Sequence, residues 1–380
     1  VDGVVDASAL DVTIVVVVVA LRVIVPLLIP RFPLPAILAA LVIDGVDQTV
    51  FQSWLSASTW AQLENGYQGY DKALDVFYLT IAYTATMRNW KNPSALRWAQ
   101  FLWLYRLVGV TTFEILHNAS APESWRWLLL VFPNTFEYFF IAYEAIRLRW
   151  DPRRLSPRSI AALVAFIWIF IKLPQEWWIH VARLDFTDFA SEHGWVVPTI
   201  VILVIVVVAV GWWAIKYRLP PADWAPKVTA DALPADLGTD AQRGAYRAQH
   251  WRLFDWNLVE KVVLVSLVCE IFAQILPGST ATLAQVSSAV AILVIISSAV
   301  GLAFVRRGRS IENAAAQFIS LCLLNAAILG GMRLLSSRFE LDHALFFILL
   351  VSLIVFLYDR YCPIREETLQ VEASLVPATT

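Results

Sequence analysis

The densest run of groups able to move protons or hold a metal is Lys172-Leu-Pro-Gln-Glu-Trp-Trp-Ile-His180, followed by Asp185, Asp188 and His193. Glu176 and His180 are four residues apart, so a helix places them on one face. An imidazole beside a carboxylate is an acid–base pair, because histidine titrates near neutrality. The same side chains ligate divalent metals, and Asp185, Asp188 and His193 are the candidate ligands here. No spacing names a metal, since HExxH is absent.

A second set lies earlier, as Asp44-Gly-Val-Asp47 and then Asp71-Lys-Ala-Leu-Asp75. Each pair shares a helix face if the helix continues. With Glu176 and His180, Asp47 and Asp71 make the candidate catalytic set, as metal ligand or base. In residue type the pairs are similar to the aspartates with which membrane prenyltransferases hold magnesium and diphosphate. Here the motifs are shorter and closer together, and the supporting Asn and Arg are missing, so no family is assigned. The plainer alternative is that these carboxylates cap helix ends at a membrane interface.

Five further charges fall near the centres of apolar segments: Arg22, Arg106, Glu137, Lys172 and Glu270. Charge inside a bilayer is expensive, so it marks either paired structure or function. Arg106 and Glu137, on neighbouring segments, are expected to pair. Arg106, Glu137, Lys172 and the apolar wall at Trp177 are the candidate substrate contacts.

Such charges need a scaffold, and composition says which kind. Of 380 residues, 59% are hydrophobic and 16% charged, against roughly 45–50% and about 25% in soluble domains. That excess cannot be hidden in one soluble core. An all-α, polytopic transmembrane bundle is therefore expected, as one membrane-embedded domain over 1–362. With about twenty apolar residues per span, candidate spans lie near 11–30, 33–55, 72–88, 97–116, 124–147, 159–180, 196–216, 257–276, 283–305, 313–335 and 343–358. The segment 33–55 has a short apolar centre behind Pro33 and Pro35 and reads as half-interfacial or re-entrant. Ten or eleven spans result. The charge-free segments 196–216, 283–305 and 343–358 are expected to face lipid.

Lys and Arg cluster at 88–97, 147–158 and 306–309. The positive-inside rule makes these loops cytoplasmic, together with the C-terminus. The carboxylate and histidine clusters then map to the outer side. A Pro-rich loop near 218–255 ends in an amphipathic stretch at Gln242–Trp251, and 363–380 reads as a disordered cytoplasmic tail. The plain helix-bundle design points to a bacterial plasma membrane.

A net charge of −2 gives no field for nucleic acid. Three cysteines form neither a disulfide framework nor a CxxC site. No P-loop, dinucleotide fingerprint or nucleophile elbow occurs, so a divalent metal is the one cofactor considered. The leading expectation is an enzyme acting on a membrane lipid or lipid-linked substrate by acid–base or metal-assisted transfer. The alternatives are a transporter or channel using Arg106, Glu137 and Lys172, and a scaffold subunit.

Overall fold

The computed structural model describes residues 8–119, 125–182, 192–275, 283–306, 318–319, 321–323 and 341–375. The described residues are helical and contain no strand. Among the described residues, five helices are long and apolar enough to cross a membrane: Ala9–Leu28, Pro33–Trp54, Pro157–Val181, Leu283–Ala303 and Phe346–Val371. The expected span at 313–335 falls almost wholly outside the described residues.

The first three helices lie side by side: α1 (Ala9–Ile24), α2 (Pro33–Trp54) and α3 (Ala57–Asn89). They are pinned at both ends. At one end Asp11, in the first turn of α1, accepts from the hydroxyls of Ser56 (2.7 Å) and Thr59 (2.8 Å) at the α2–α3 turn. At the other, the Asn89 amide donates to the Pro30 carbonyl at 3.1 Å. The segment 33–55 proves to be one continuous helix rather than a re-entrant piece. Pro33 and Pro35 sit in its first turn, where a missing N–H costs nothing.

Helix α4 (Pro93–Ala119) follows, then a helix broken in two as α5 (Trp127–Val131) and α6 (Thr135–Arg147). One span was expected over 124–147. Pro133 offers no N–H, and Phe132 and Asn134 leave helical geometry around it. Two carbonyls at the break are taken by α4: Tyr105 donates to Val131 O at 2.9 Å and Arg106 to Phe132 O at 2.7 Å. Gly109 makes this approach possible, because a Cβ there would lie 2.1 Å from Phe132 Cβ.

Helix α7 (Pro157–Val181) widens into π turns at Ile167–Lys172 and Trp177–Val181. Pro174 lies between the two turns and removes one donor from the regular ladder. Helix α8 (Val196–Tyr217) leaves Val201, Ile202, Leu203, Ile205 and Val210 exposed, as a lipid-facing helix should. The amphipathic α9 (Asp240–His250) starts with a complete Thr239/Gln242 capping box. It packs on α11 (Leu283–Arg306) and α12 (Leu341–Leu375), while α10 (Trp256–Ile275) packs on α4, α11 and α12.

Two expectations are corrected at α12. The segment 343–358 faces protein rather than lipid, with Leu350, Ile354, Val355 and Tyr358 buried in the core and the helix packed along α3. A helix apolar on all sides can fill a core as readily as it can meet lipid. The helix also runs through Pro363 to Leu375 where a polar tail was expected. Arg365, 5% exposed, anchors that extension on α10 through Glu260.

The basic loops at 88–97 and 147–158 meet at one end of the bundle, where the Asn92 amide donates to the carbonyls of Pro152 and Leu155, each at 3.0 Å.

Candidate functional site

Midway between the two pins of the α1–α3 layer, Arg22 meets four carboxylates. Its guanidinium pairs with Asp44 and Asp47 of α2 and with Asp71 and Asp75 of α3. Arg22 is 5% and Asp47 2% exposed. The spacing inside each pair explains the convergence: 44/47 and 71/75 each make one face, and the two faces look at one another across Arg22. Carboxylate oxygens of Asp44, Asp71 and Asp75 lie within 4.8 Å of one another, close enough for one cation to bridge.

Polar contacts continue from there across the bundle. One turn beyond Asp75, Tyr78 donates to Glu137 Oε1 at 2.5 Å. Glu137 Oε2 accepts from the Asn134 amide at 2.9 Å. The Asn134 backbone N–H, freed at the helix break, donates to Glu176 Oε1 at 3.1 Å. Glu176 Oε2 lies 3.0 Å from His180 Nε2. The break at Pro133 thus supplies both the amide and the unpaired N–H that join α3 to α7. On the other flank of α3, Lys72 pairs with Glu114 of α4 at 2.9 Å.

The sequence candidates divide accordingly. Asp47 and Asp71 come together on Arg22. Glu176 and His180 come together on α7, with different partners. The four do not form one constellation, and Asp44, Asp47, Asp71 and Asp75 lie along helix interiors rather than capping helix ends. Arg106 and Glu137 do not pair: Arg106 serves the broken helix, and Glu137 is held by Tyr78 and Asn134. Lys172 lies 4.0 Å from the Tyr138 ring centroid and donates to Gln175 at 3.0 Å. Trp177 is half exposed on the outer face of α7. Glu270 accepts from Ser287 at 2.7 Å and leaves its second oxygen without a partner. Asp185 and Asp188 lie outside the described residues. His193 is half-buried, with its ring 6.2 Å from that of Trp195. Among the described residues, the acidic group with metal spacing is Asp44, Asp71 and Asp75.

Sequence reasoning missed Tyr78 and Asn134. Tyr78 follows Asp75 at i+3, and Asn134 follows the helix-breaking Pro133, so both signals were present. It also missed Glu260 and Arg365, which sit close to apparent segment ends.

No protein family, curated protein or solved structure matches this chain.

Proposed function

We propose that the protein is a membrane transporter that moves or couples to cations, with protons the leading candidate, through the carboxylate cluster at Arg22. One observation carries this reading: a single buried guanidinium faces four carboxylates in the interior of a helix layer. Four ionised carboxylates against one arginine leave excess negative charge beside a buried guanidinium, and buried ions are tolerated when neutralised. A proton or a bound cation supplies that neutralisation, and its exchange is the elementary step of transport.

Two further features support the reading. The helix broken at Pro133 resembles the discontinuous helices that place backbone groups at transporter binding sites. The contacts Tyr78–Glu137 and Glu176–His180 place groups able to exchange protons on either side of the Asn134 amides at the broken helix. The enzyme reading is less well supported, because its four residues fall into two separate groups, Asp47 with Asp71 on Arg22 and Glu176 with His180. Membrane lipid is then the surrounding solvent, and a plasma membrane with basic loops on the cytoplasmic side is the proposed setting.

The test uses proteoliposomes holding a pH-sensitive dye. With an imposed proton gradient, or with an inward sodium or potassium gradient, wild-type protein should dissipate or generate a pH difference faster than protein-free vesicles. Asp75→Asn should slow it at least about tenfold without unfolding the protein. Equal rates in wild-type and empty vesicles under all three gradients would overturn the proposal.

A further inference from the structure

At the end of the bundle where the basic loops meet, a cavity of about 300 Å³ lies beneath the loop that follows α8. This loop is bonded down before any ligand arrives. Asp223 N–H donates to Arg149 O and Lys227 N–H to Leu148 O, each at 2.9 Å, and Ala230 N–H donates to Arg31 O at 2.8 Å. Trp224 Nε1 donates to Arg147 O at 3.1 Å. The cavity is therefore a built recess between the ends of α3 and α6 and this strap.

Four cations line it, Lys91, Arg147, Arg153 and Lys227, against two carboxylates, Asp151 and Asp231. The carboxylates are already engaged: Asp151 with Arg153 at 2.7 Å, and Asp231 with Lys227. Arg147 is fixed from behind by Glu144 at 2.6 Å. Lys91 makes no hydrogen bond or ion pair among the described residues; Glu367 and Asp231 act on it at longer range. Its burial holds the ammonium below the usual lysine range, which an anionic neighbour would reverse. A second, independent feature points the same way. Tyr143 is 1% exposed and lines the cavity, yet its hydroxyl has no hydrogen-bond partner. The Asn92 N–H approaches that hydroxyl without the geometry of a hydrogen bond. A buried donor left unsatisfied is costly, and an acceptor bound in the recess would relieve that cost.

We infer that this recess binds a phosphate-bearing anion, held by Lys91, Arg147 and Lys227 with the Tyr143 hydroxyl as an additional donor. Several cations converging from separate elements suit a group with three or more acceptor oxygens. The phosphate has two possible sources, the headgroup of an anionic lipid or a soluble phosphate ester. The site is separate from the Arg22 cluster and does not depend on the transport reading.

The experiment titrates purified full-length protein with glycerol 3-phosphate in a thermal-unfolding assay. In parallel, native mass spectrometry follows protein released from nanodiscs of phosphatidylglycerol or phosphatidylcholine. Stabilisation by glycerol 3-phosphate assigns a soluble ester, and selective retention of phosphatidylglycerol assigns the lipid headgroup; either result supports the site. Lys91→Gln should weaken the observed binding at least about tenfold. Tyr143→Phe keeps the ring stacked on Trp90, whose centroid is 4.0 Å away, and should weaken binding less. It also serves if Lys91→Gln fails to fold. No binding of either probe, or binding unchanged in a folded variant, overturns the inference.

Discussion

Helix α3 meets two charge clusters, and they are built on opposite principles. Around Tyr83, one buried acid meets one buried base, with the part-exposed Glu366 3.5 Å from the guanidinium at the edge. Glu260 accepts from Arg365 at 2.6 and 2.8 Å and also from the Tyr83 hydroxyl, while Asn257 takes a further Arg365 donor at 3.1 Å. Around Asp71 and Asp75, two turns earlier, four acids share one base. A matched pair fixes how helices register against one another and has no excess charge to exchange. An unbalanced cluster has a charge state that something mobile must complete. Both are costly in a membrane, and the excess of acid over base, rather than burial, separates a structural lock from a candidate site.

The strongest way to break this comparison is to remove the shared base. Arg22→Ala strands four carboxylates at once, each of them losing the cation partner it has among the described residues and all of them close together. The cost should reach about 5 kcal/mol, the upper end of what removing one partner of a buried pair costs. Thermal unfolding in mild detergent measures it. Adding Asp44→Asn and Asp75→Asn to Arg22→Ala should recover much of the loss, because the damage is excess charge. An Arg22→Ala protein as stable as wild type would mean that water already solvates the acids.

The balanced cluster should behave otherwise. Arg365→Met leaves Glu260 with Tyr83 as its remaining donor and should cost about 3 kcal/mol. The double change Glu260→Leu, Arg365→Met should return near to wild-type stability, since apolar side chains can replace a matched buried pair. Transport should survive in the double variant if this cluster is a lock. Loss of transport with intact stability would give it a functional role and erase the distinction drawn here.

A smaller effect is expected at the broken helix. Gly109→Ala places a methyl where Phe132 already stands, and overpacking of this kind costs about 1–3 kcal/mol. The displaced break would also disturb Asn134, which bridges Glu137 and Glu176. Reduced stability together with slower cation movement is the expected outcome, read in detergent unfolding and in proteoliposomes.

Much of this was legible before the structure. Composition and segment length marked a helical membrane protein, and the 44/47 and 71/75 spacings marked faces that prove to meet. What could not be read was depth and partnership. Asp44 could be read as capping a helix end because a short apolar centre at Leu34–Ile43 hid a 22-residue helix. Arg22 gave no hint that it would meet four acids, since those contacts bridge 22 to 53 residues of sequence. Arg106 and Glu137 looked like natural partners by charge. The break at Pro133 took Arg106 instead, because an orphaned carbonyl in an apolar interior competes effectively for a cation. The polar sequence after Pro363 suggested a tail, and the Arg365–Glu260 pair makes it helix.

The finest discrimination comes from neutralising one acid in each cluster without changing its shape. Asp75→Asn removes one negative charge from a group with too many, and the amide can still accept from Arg22. Its stability should stay within about 1 kcal/mol of wild type, with any change in the stabilising direction, because self-repulsion among the remaining three carboxylates falls. Glu260→Gln removes the one acid that Arg365 has beside it in the core, turning a charge-assisted bond into a neutral one beside a buried guanidinium, and should cost about 1–3 kcal/mol. The same isosteric edit then has opposite signs at two clusters that meet α3 eight residues apart, at Asp75 and Tyr83, about 12 Å at an axial rise of about 1.5 Å per residue. Paired unfolding curves of the two variants test that directly. If Asp75→Asn destabilises as much as Glu260→Gln does, the four carboxylates are a matched network like the other, and the case for a mobile cation at Arg22 falls with the difference between them.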